Sequence, residues 1–296
     1  MGGKVCLVTG GNSGIGRETA LGLARLGATV VIVSRDRAKG EAALSEIKGK
    51  SGNKSVDLFV ADLSSMDSVR QLAREFRGKY SKLHVLVNNA GVFLPRRVIT
   101  VDGFEATFAT NHLGHFLLTN LLLDMLEASA PSRVINMTSD AHKGARIDFE
   151  DLMGEKKFSG YKAYGQSKLA NVLFTYQLTK LQEGTGVTVN CLHPGVVRTG
   201  FGKDLGGLFA IVVRIIGPFM MSPQRSAKAS VYLATAPELE GVTGKHFSKG
   251  KEEKSSRESY DQTTAERLWQ VSAELTSLWL QSLTVHPDSL STSNLA

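Results

Sequence analysis

The run Val5-Cys6-Leu7-Val8-Thr9-Gly10-Gly11-Asn12-Ser13-Gly14-Ile15-Gly16-Arg17 decides how the whole chain is read. Its first five residues read as a buried strand, glycines crowd the turn that follows, and a helical pattern begins near Ile15. Gly10, Gly14 and Gly16 let the backbone turn tightly and come close to a ligand. The helix start offers free N–H groups and the positive end of its dipole to a pyrophosphate. The spacing is Gly-x-x-x-Gly-x-Gly, not the commoner dinucleotide fingerprint Gly-x-Gly-x-x-Gly. With Asn12, Ser13 and Ile15 between the glycines, this turn is the candidate phosphate site. Any strand-to-helix turn can be glycine-rich. This one follows the first strand of an alternating array, where open α/β sheets take nucleotides.

Outward from the turn, β-branched runs stand at Val5–Thr9, Thr29–Ser34, Val56–Ala61, Leu83–Asn88, Arg133–Thr138, Val187–His193 and Gly244–Ser248. Amphipathic segments alternate with them at Ile15–Leu26, Arg37–Lys48, Met66–Lys79, Phe104–Ala128, Tyr161–Gln182, Pro223–Ala234 and Thr263–Leu280. That rhythm predicts an α/β fold: βαβ units that build a parallel sheet with helices on both faces. Val30-Val31-Ile32-Val33 and Val85-Leu86-Val87 lack polar alternation, as strands buried on both faces do. No linker or repeat divides the 296 residues, so one domain is expected over 1–282 with a flexible tail at 283–296.

Composition narrows the classes. Hydrophobic residues make up 42% and charged residues 21%, enough for a sizeable core and too apolar for disorder. Two cysteines, Cys6 and Cys191, exclude a disulfide scaffold and point to a reducing, cytoplasmic setting. They fall in buried strands and read as inert filler. The net charge of +7 is moderate and spread out. It suits an anionic ligand or a membrane surface and gives no reason to expect nucleic-acid binding. The start, Met-Gly-Gly-Lys before Val5, leaves no room for a signal peptide or N-terminal anchor, and Cys6 in the sixth place argues against myristoylation of Gly2.

The strand ends carry further candidates. The second strand closes on Val33-Ser34-Arg35-Asp36. A carboxylate at a strand end suits the ribose 2′-hydroxyl of NAD, whereas a cation suits the 2′-phosphate of NADP. Ser34 followed by Arg35 favours NADP(H), and Asp36 keeps NAD(H) as the lesser alternative. Asp62, followed by Leu63, either accepts from an adenine amino group or caps the helix near Met66. Asn89-Ala90-Gly91 ends the fourth strand with small residues that let a cofactor pass close by.

Tyr164-Gly-Gln-Ser-Lys168 is the sharpest chemical signal. Residues i and i+4 share a helix face, so the phenol and the ammonium are neighbours. A nearby cation favours the phenolate and is expected to lower the tyrosine pKa, suiting it to exchange protons with an alcohol or carbonyl. Ser139, closing the strand Arg133–Thr138, would hydrogen-bond the substrate oxygen and steady the tyrosine. Asn111, early in the apolar helix, supports a water relay to Lys168 or is a polar core residue.

Together these residues resemble the short-chain dehydrogenase/reductase family of the classical type. Thr9-Gly10-x-x-x-Gly14-Ile15-Gly16, Asn88-Asn89-Ala90-Gly91, Asn111, Ser139, Tyr164-x-x-x-Lys168 and Pro194-Gly195 occur in that family's order over about residues 4–250. The resemblance implies a single-domain, Rossmann-type, doubly wound parallel seven-stranded sheet and a catalytic tetrad. Tyr164 would be the acid/base, Lys168 would lower its pKa and hold the nicotinamide ribose, Ser139 would orient the substrate oxygen, and Asn111 would anchor the relay water. Pro194, Gly195 and Thr199 would flank the nicotinamide. Ser139 and Tyr164 stand 25 residues apart, about twice the spacing usual in the family. The extra segment Ala141–Leu152, with Asn111-His-Leu-Gly-His-Phe116, Ser167-Lys-Leu-Ala-Asn171 and His193-Pro-Gly195, is similar to the retinol dehydrogenase-like branch.

The segment at about 200–222 is apolar and glycine-hinged, and the family places its substrate lid there. Such a lid suits a small lipophilic substrate; core packing, an oligomer contact and a peripheral membrane contact are the alternatives. Arg214 and Pro218 interrupt it, and it is too short to span a membrane. His112 and His115 lack the partners of a metal site, and none is expected. Ser139, His193 and Asp140 lack the Gly-x-Ser-x-Gly elbow of a hydrolase. The sequence therefore predicts an NADP(H)-dependent oxidoreductase acting on a lipophilic alcohol, aldehyde or ketone. A catalytically silent nucleotide sensor or scaffold, and an enzyme of the same family acting on a carbon–carbon double bond, are the rivals. A homo-oligomer is left open.

Overall fold

Leu7, Val31 and Leu86 pack on one side of a central sheet, while Cys6, Val8 and Ile32 pack on the other. Successive residues of a strand point to opposite faces, so each apolar run feeds both cores. The structure is a computed structural model that describes residues 1–195 and 221–278. The strands are β1 Val5–Thr9, β2 Thr29–Ser34, β3 Val56–Val60, β4 Val85–Asn88, β5 Ser132–Met137, β6 Val187–His193, β7 His246–Ser248 and β8 Lys251–Glu252. Their order is β3-β2-β1-β4-β5-β6-β7-β8. The chain fills one side of β1, then crosses to the other, so the ends of β1 and β4 form the switch point where such sheets bind ligands.

The first seven strands pair in parallel; β8 pairs antiparallel with β7. This eighth strand corrects the expected seven. Lys249 and Gly250 both have positive φ, 53° and 87°, and make a two-residue hairpin turn that folds the chain back. Lys251 and Glu252 are exposed and carry no apolar pattern that announces a strand.

Helices α1 Gly14–Arg25, α2 Arg37–Ser51 and α3 Met66–Lys79 follow the first three strands. The expected continuous helix Phe104–Ala128 is broken. It comprises a short turn at Ala106–Phe108, a π-helical turn at Ala109–Leu113, an α-helix at Gly114–Leu121 (α4) and another at Leu123–Ala128 (α5). The π turn has a steric companion in Gly114, where a Cβ would lie 2.2 Å from the Leu63 carbonyl oxygen. The helix approaches the end of β3 closely enough that only glycine fits. α6 Gly160–Leu181, α7 Pro223–Thr235 and α8 Gln262–Leu275 complete the layers.

One core, beneath α3, α4, α6 and α8, centres on Phe76, Phe108 and Phe116; the other lies beneath α1, α2 and α7. Burying one such side chain stabilises the fold by about 1.5–3 kcal/mol. The inserted segment after β5 is packed, with Ile147, Phe149, Leu152 and Met153 partly buried against the first core. Burial pushes the thiols of Cys6 and Cys191 up to about 12, so both stay protonated filler. No described helix is long and apolar enough to cross a membrane. Thr199, nearly all of the expected lid at about 200–222, and the expected tail at 283–296 lie outside the described residues.

Candidate active site

The glycine turn leaves β1 at Thr9 and enters α1 with Gly10 at φ 65° and Gly14 at φ 55°. A Cβ on Gly16 would lie 2.4 Å from both the Gly10 carbonyl oxygen and the Asn89 side-chain nitrogen. No side chain can stand there, and the backbone itself forms the surface. Ser13 is the N-cap residue, but its hydroxyl makes no capping bond, and the first turn of α1 carries no acid. The opening N–H groups are therefore left for an anion, which is the cradle a dinucleotide phosphate requires. Ser13 is exposed at its rim, with Asn12 and Ile15 half-buried beside it. Arg17 turns away to Glu18 and Glu46, each at 2.8 Å.

Asn89 clamps the turn. Its side-chain N–H donates to the Thr9 carbonyl at 2.8 Å, while the backbone N–H groups of Asn89 and Ala90 donate to the Thr9 hydroxyl at 2.9 and 3.0 Å. At the end of β2, Arg35 is exposed and has no hydrogen-bond or ion-pair partner among the described residues. Asp36 is spent locally. It accepts from the Lys39 N–H at 3.1 Å as the α2 cap and pairs with the Lys39 ammonium at 3.1 Å. Those bonds hold its carboxyl below the usual range. Asp62 accepts from the N–H and hydroxyl of Ser64. The cap of α3 is Ser65, helped by Asp102, which accepts from the Met66 N–H at 2.8 Å. The capping alternative for Asp62 thus fails.

Ser139 stands just past β5, and its hydroxyl accepts from the Ala141 N–H at 3.3 Å. Across from it, the first turns of α6 bring Tyr164 and Lys168 to the same edge. The Lys168 ammonium lies 5.7 Å from the Tyr164 ring centroid and donates to the Met137 carbonyl at 3.1 Å. Thr138 anchors that stretch of α6 by donating to the Lys168 carbonyl at 3.0 Å. Phe93 packs edge-on against Tyr164 at 5.6 Å. A Cβ on Gly91 would lie 3.3 Å from the Asn111 amide oxygen and 3.5 Å from the Lys168 ammonium. Asn111, Ser139, Tyr164 and Lys168 therefore converge on one spot beside Gly91.

The electrostatics differ from the sequence expectation. Tyr164 was expected to have its pKa lowered by Lys168. Instead, burial pushes the phenol up to about 12, and a hydrogen bond with Ser139 opposes the shift. Burial likewise brings Lys168 down to about 8. Both charged forms are disfavoured by lost hydration.

Asn111 sits in the π turn, a distortion that recurs at functional sites. Its amide oxygen accepts from the Val92 N–H at 2.7 Å, and its amide nitrogen donates to the Val92 carbonyl and to Ser167 at 2.9 and 3.0 Å. Ser167 donates in turn to the Tyr164 carbonyl at 2.7 Å. Thr9 and Ser167 are thus part of the site, although the sequence offered them only as members of longer motifs and gave them no role. A small hydroxyl at a strand end or inside Tyr-x-x-x-Lys is too common to assign one.

Pro194 and Gly195 are buried at the end of β6, with Gly195 at φ 91°. His193 pairs with Asp140 at 3.1 Å. The Ser139 hydroxyl is engaged by Ala141 and Tyr164 rather than by that histidine.

A family model described as short chain dehydrogenase matches residues 4–206. Mouse retinol dehydrogenase 12 is 48% identical over 273 residues, covering 92% of this chain and 86% of that protein. Human retinol dehydrogenase 13 is 45% identical over 293 residues, covering 96% and 88%. Among solved structures, an uncharacterized protein from Mycobacterium paratuberculosis superposes with a TM-score of 0.76 at 34% identity, covering 93% of this chain and 94% of that one. The Pseudomonas aeruginosa RhlG/NADP active-site complex gives a TM-score of 0.67 at 29% identity, covering 84% and 95%.

Proposed function

The chain belongs to the short-chain dehydrogenase family, as a retinol dehydrogenase-like oxidoreductase, and from that premise we propose that it uses NADP(H) to interconvert a lipophilic alcohol with its aldehyde or ketone. The observation that carries this reading is the convergence of Asn111, Ser139, Tyr164 and Lys168 at the sheet edge that also holds the Gly10–Gly16 cradle. A nicotinamide nucleotide bound there supplies the hydride for reduction and takes it up in oxidation.

The residues do the rest. With its pKa at about 12, Tyr164 is a protonated phenol at neutral pH and suits the role of acid in carbonyl reduction. Its O–H bond breaks as the proton passes to the substrate oxygen, and an alcohol O–H forms. The phenolate left behind faces the Lys168 ammonium, which stabilises it. Ser139, held by the Ala141 N–H, donates to the same substrate oxygen. Asn111 and Ser167 fix the start of α6 so that these atoms keep their places. In oxidation the same proton runs back to the phenolate.

Arg35 supports NADP(H) because it is a cation at the strand end with no other partner among the described residues, whereas the nearest carboxylate, Asp36, is engaged. The half-buried Phe93 beside Tyr164 supports an apolar substrate. The mouse and human relatives named as retinol dehydrogenases make retinoid-like alcohols the first class to try.

The test is Tyr164→Phe, assayed with NADPH and a panel of long-chain and isoprenoid aldehydes. Turnover should fall by about 10³-fold, while nucleotide affinity by fluorescence titration stays near that of the unmodified protein. Near-native turnover would remove Tyr164 from the chemistry.

A further inference from the structure

His115 is buried in α4, one helical turn beyond Asn111, and touches both halves of the site. Its Nδ1 lies 3.1 Å from the Asn111 carbonyl oxygen. A carbonyl only accepts, so Nδ1 carries the proton. Its Nε2 lies 2.9 Å from the Thr9 hydroxyl. Burial drives the imidazole pKa down to about 3, so the ring is neutral and Nε2 is left as an acceptor. The Thr9 hydroxyl therefore donates to His115 and keeps two lone pairs, which the N–H groups of Asn89 and Ala90 fill. The Val87 carbonyl, at 3.3 Å, is the longer second acceptor within reach of the same Thr9 proton.

We propose that His115 is a positioning residue that couples the nucleotide turn to the catalytic helix. One ring nitrogen fixes the hydroxyl on which Thr9, Asn89 and Ala90 meet. The other holds the carbonyl of Asn111, whose amide reaches Ser167 and through it the Tyr164 backbone. The link joins residues 106 positions apart in sequence. Its two halves are not equivalent. If Nε2 is lost, the Thr9 proton can turn to the Val87 carbonyl, 3.3 Å away. If Nδ1 is lost, the Asn111 carbonyl loses its side-chain donor. The inference rests on the proposed function for its catalytic half only.

Two variants separate the halves. In His115→Asn the amide nitrogen replaces Nδ1 but does not reach Thr9; in His115→Gln the amide oxygen reaches Thr9 but the Nδ1 donor is gone. Nucleotide Kd is read by NADPH fluorescence, kcat at saturating nucleotide with the best aldehyde, and folding by Tm. His115→Asn should weaken Kd about fivefold with kcat changed less than twofold. His115→Gln should lower kcat about tenfold with Kd changed less than twofold. Equal losses of Kd and kcat that track Tm in both variants would reduce His115 to packing and overturn the proposal, as would no change in either. If the unmodified protein turns over no substrate, the proposed function fails separately. The coupling is then judged on Kd alone, where His115→Asn must weaken binding and His115→Gln must not.

Discussion

The glycine turn and the Tyr164 cluster share one sheet edge but are built in opposite ways. The turn is local, made of backbone within seven residues, Gly10 to Gly16, and its N–H groups are left without a side-chain cap. The cluster is made of side chains from three distant segments, and its polar groups already hold one another. Asn111 reaches Ser167 across 56 residues, and Lys168 reaches the Met137 carbonyl across 31. The first region is shaped to receive charge from outside. The second is a set of hydrogen bonds among its own side chains and backbone, which holds the groups in the fixed places that precise proton transfer needs.

Gly16→Ala breaks the comparison most directly after the loss of Tyr164 itself. The added methyl meets two fixed atoms at 2.4 Å. Overpacking of that kind costs about 1–3 kcal/mol, and the expected result is a rise in NADPH Kd of up to roughly 100-fold. At saturating nucleotide, kcat should fall far less, because Ser139, Tyr164 and Lys168 are not on the turn. Affinity equal to that of the unmodified protein would show that the phosphates sit elsewhere.

pH sharpens the other side of the comparison. With Lys168 at about 8, its ammonium is charged below that pH and neutral above it. The phenolate formed in reduction loses its counter-charge as pH rises, so the reduction rate should decline above about pH 8, approaching tenfold per unit. Lys168→Met should give a low and flat profile instead. A rate that holds from pH 7 to pH 9.5 in the unmodified protein would mean that the charge of Lys168 does no catalytic work.

The same contrast explains what the sequence disclosed. Local devices were legible. The seven parallel strands, the Gly10–Gly16 turn and the i, i+4 pair Tyr164 and Lys168 are all written within a few consecutive residues. Features made by distant partners were not. Asp102 caps α3 from 36 residues away, and Thr9 owes its role to Asn89, Ala90 and His115. The direction of the Tyr164 shift was missed for the same reason. Spacing shows that a lysine is near, but only the packed structure shows how much water both groups have lost. β8 escaped because Lys251 and Glu252 pair through their backbones, and a two-residue strand has no periodicity to read.

The smallest expected effect belongs to the rim of the nucleotide site, where the proposed NADP(H) reading rests on a single exposed charge. Arg35 follows Ser34 at the end of β2, and Asp36 is already bound to Lys39. A 2′-phosphate near Arg35 gains a counter-ion in water, a modest interaction because solvent and salt screen it. Arg35→Asp removes that attraction, adds a repulsion and offers an acceptor to a free 2′-hydroxyl. The ratio of NADPH to NADH affinity should fall by about tenfold, with kcat for the preferred nucleotide nearly unchanged. An NADPH preference that rests on Arg35 should itself shrink as salt rises from 50 to 500 mM, as a screened surface contact does. A preference that survives both the substitution and the salt would have to come from a buried contact, and Arg35 would then be an ordinary solvated charge.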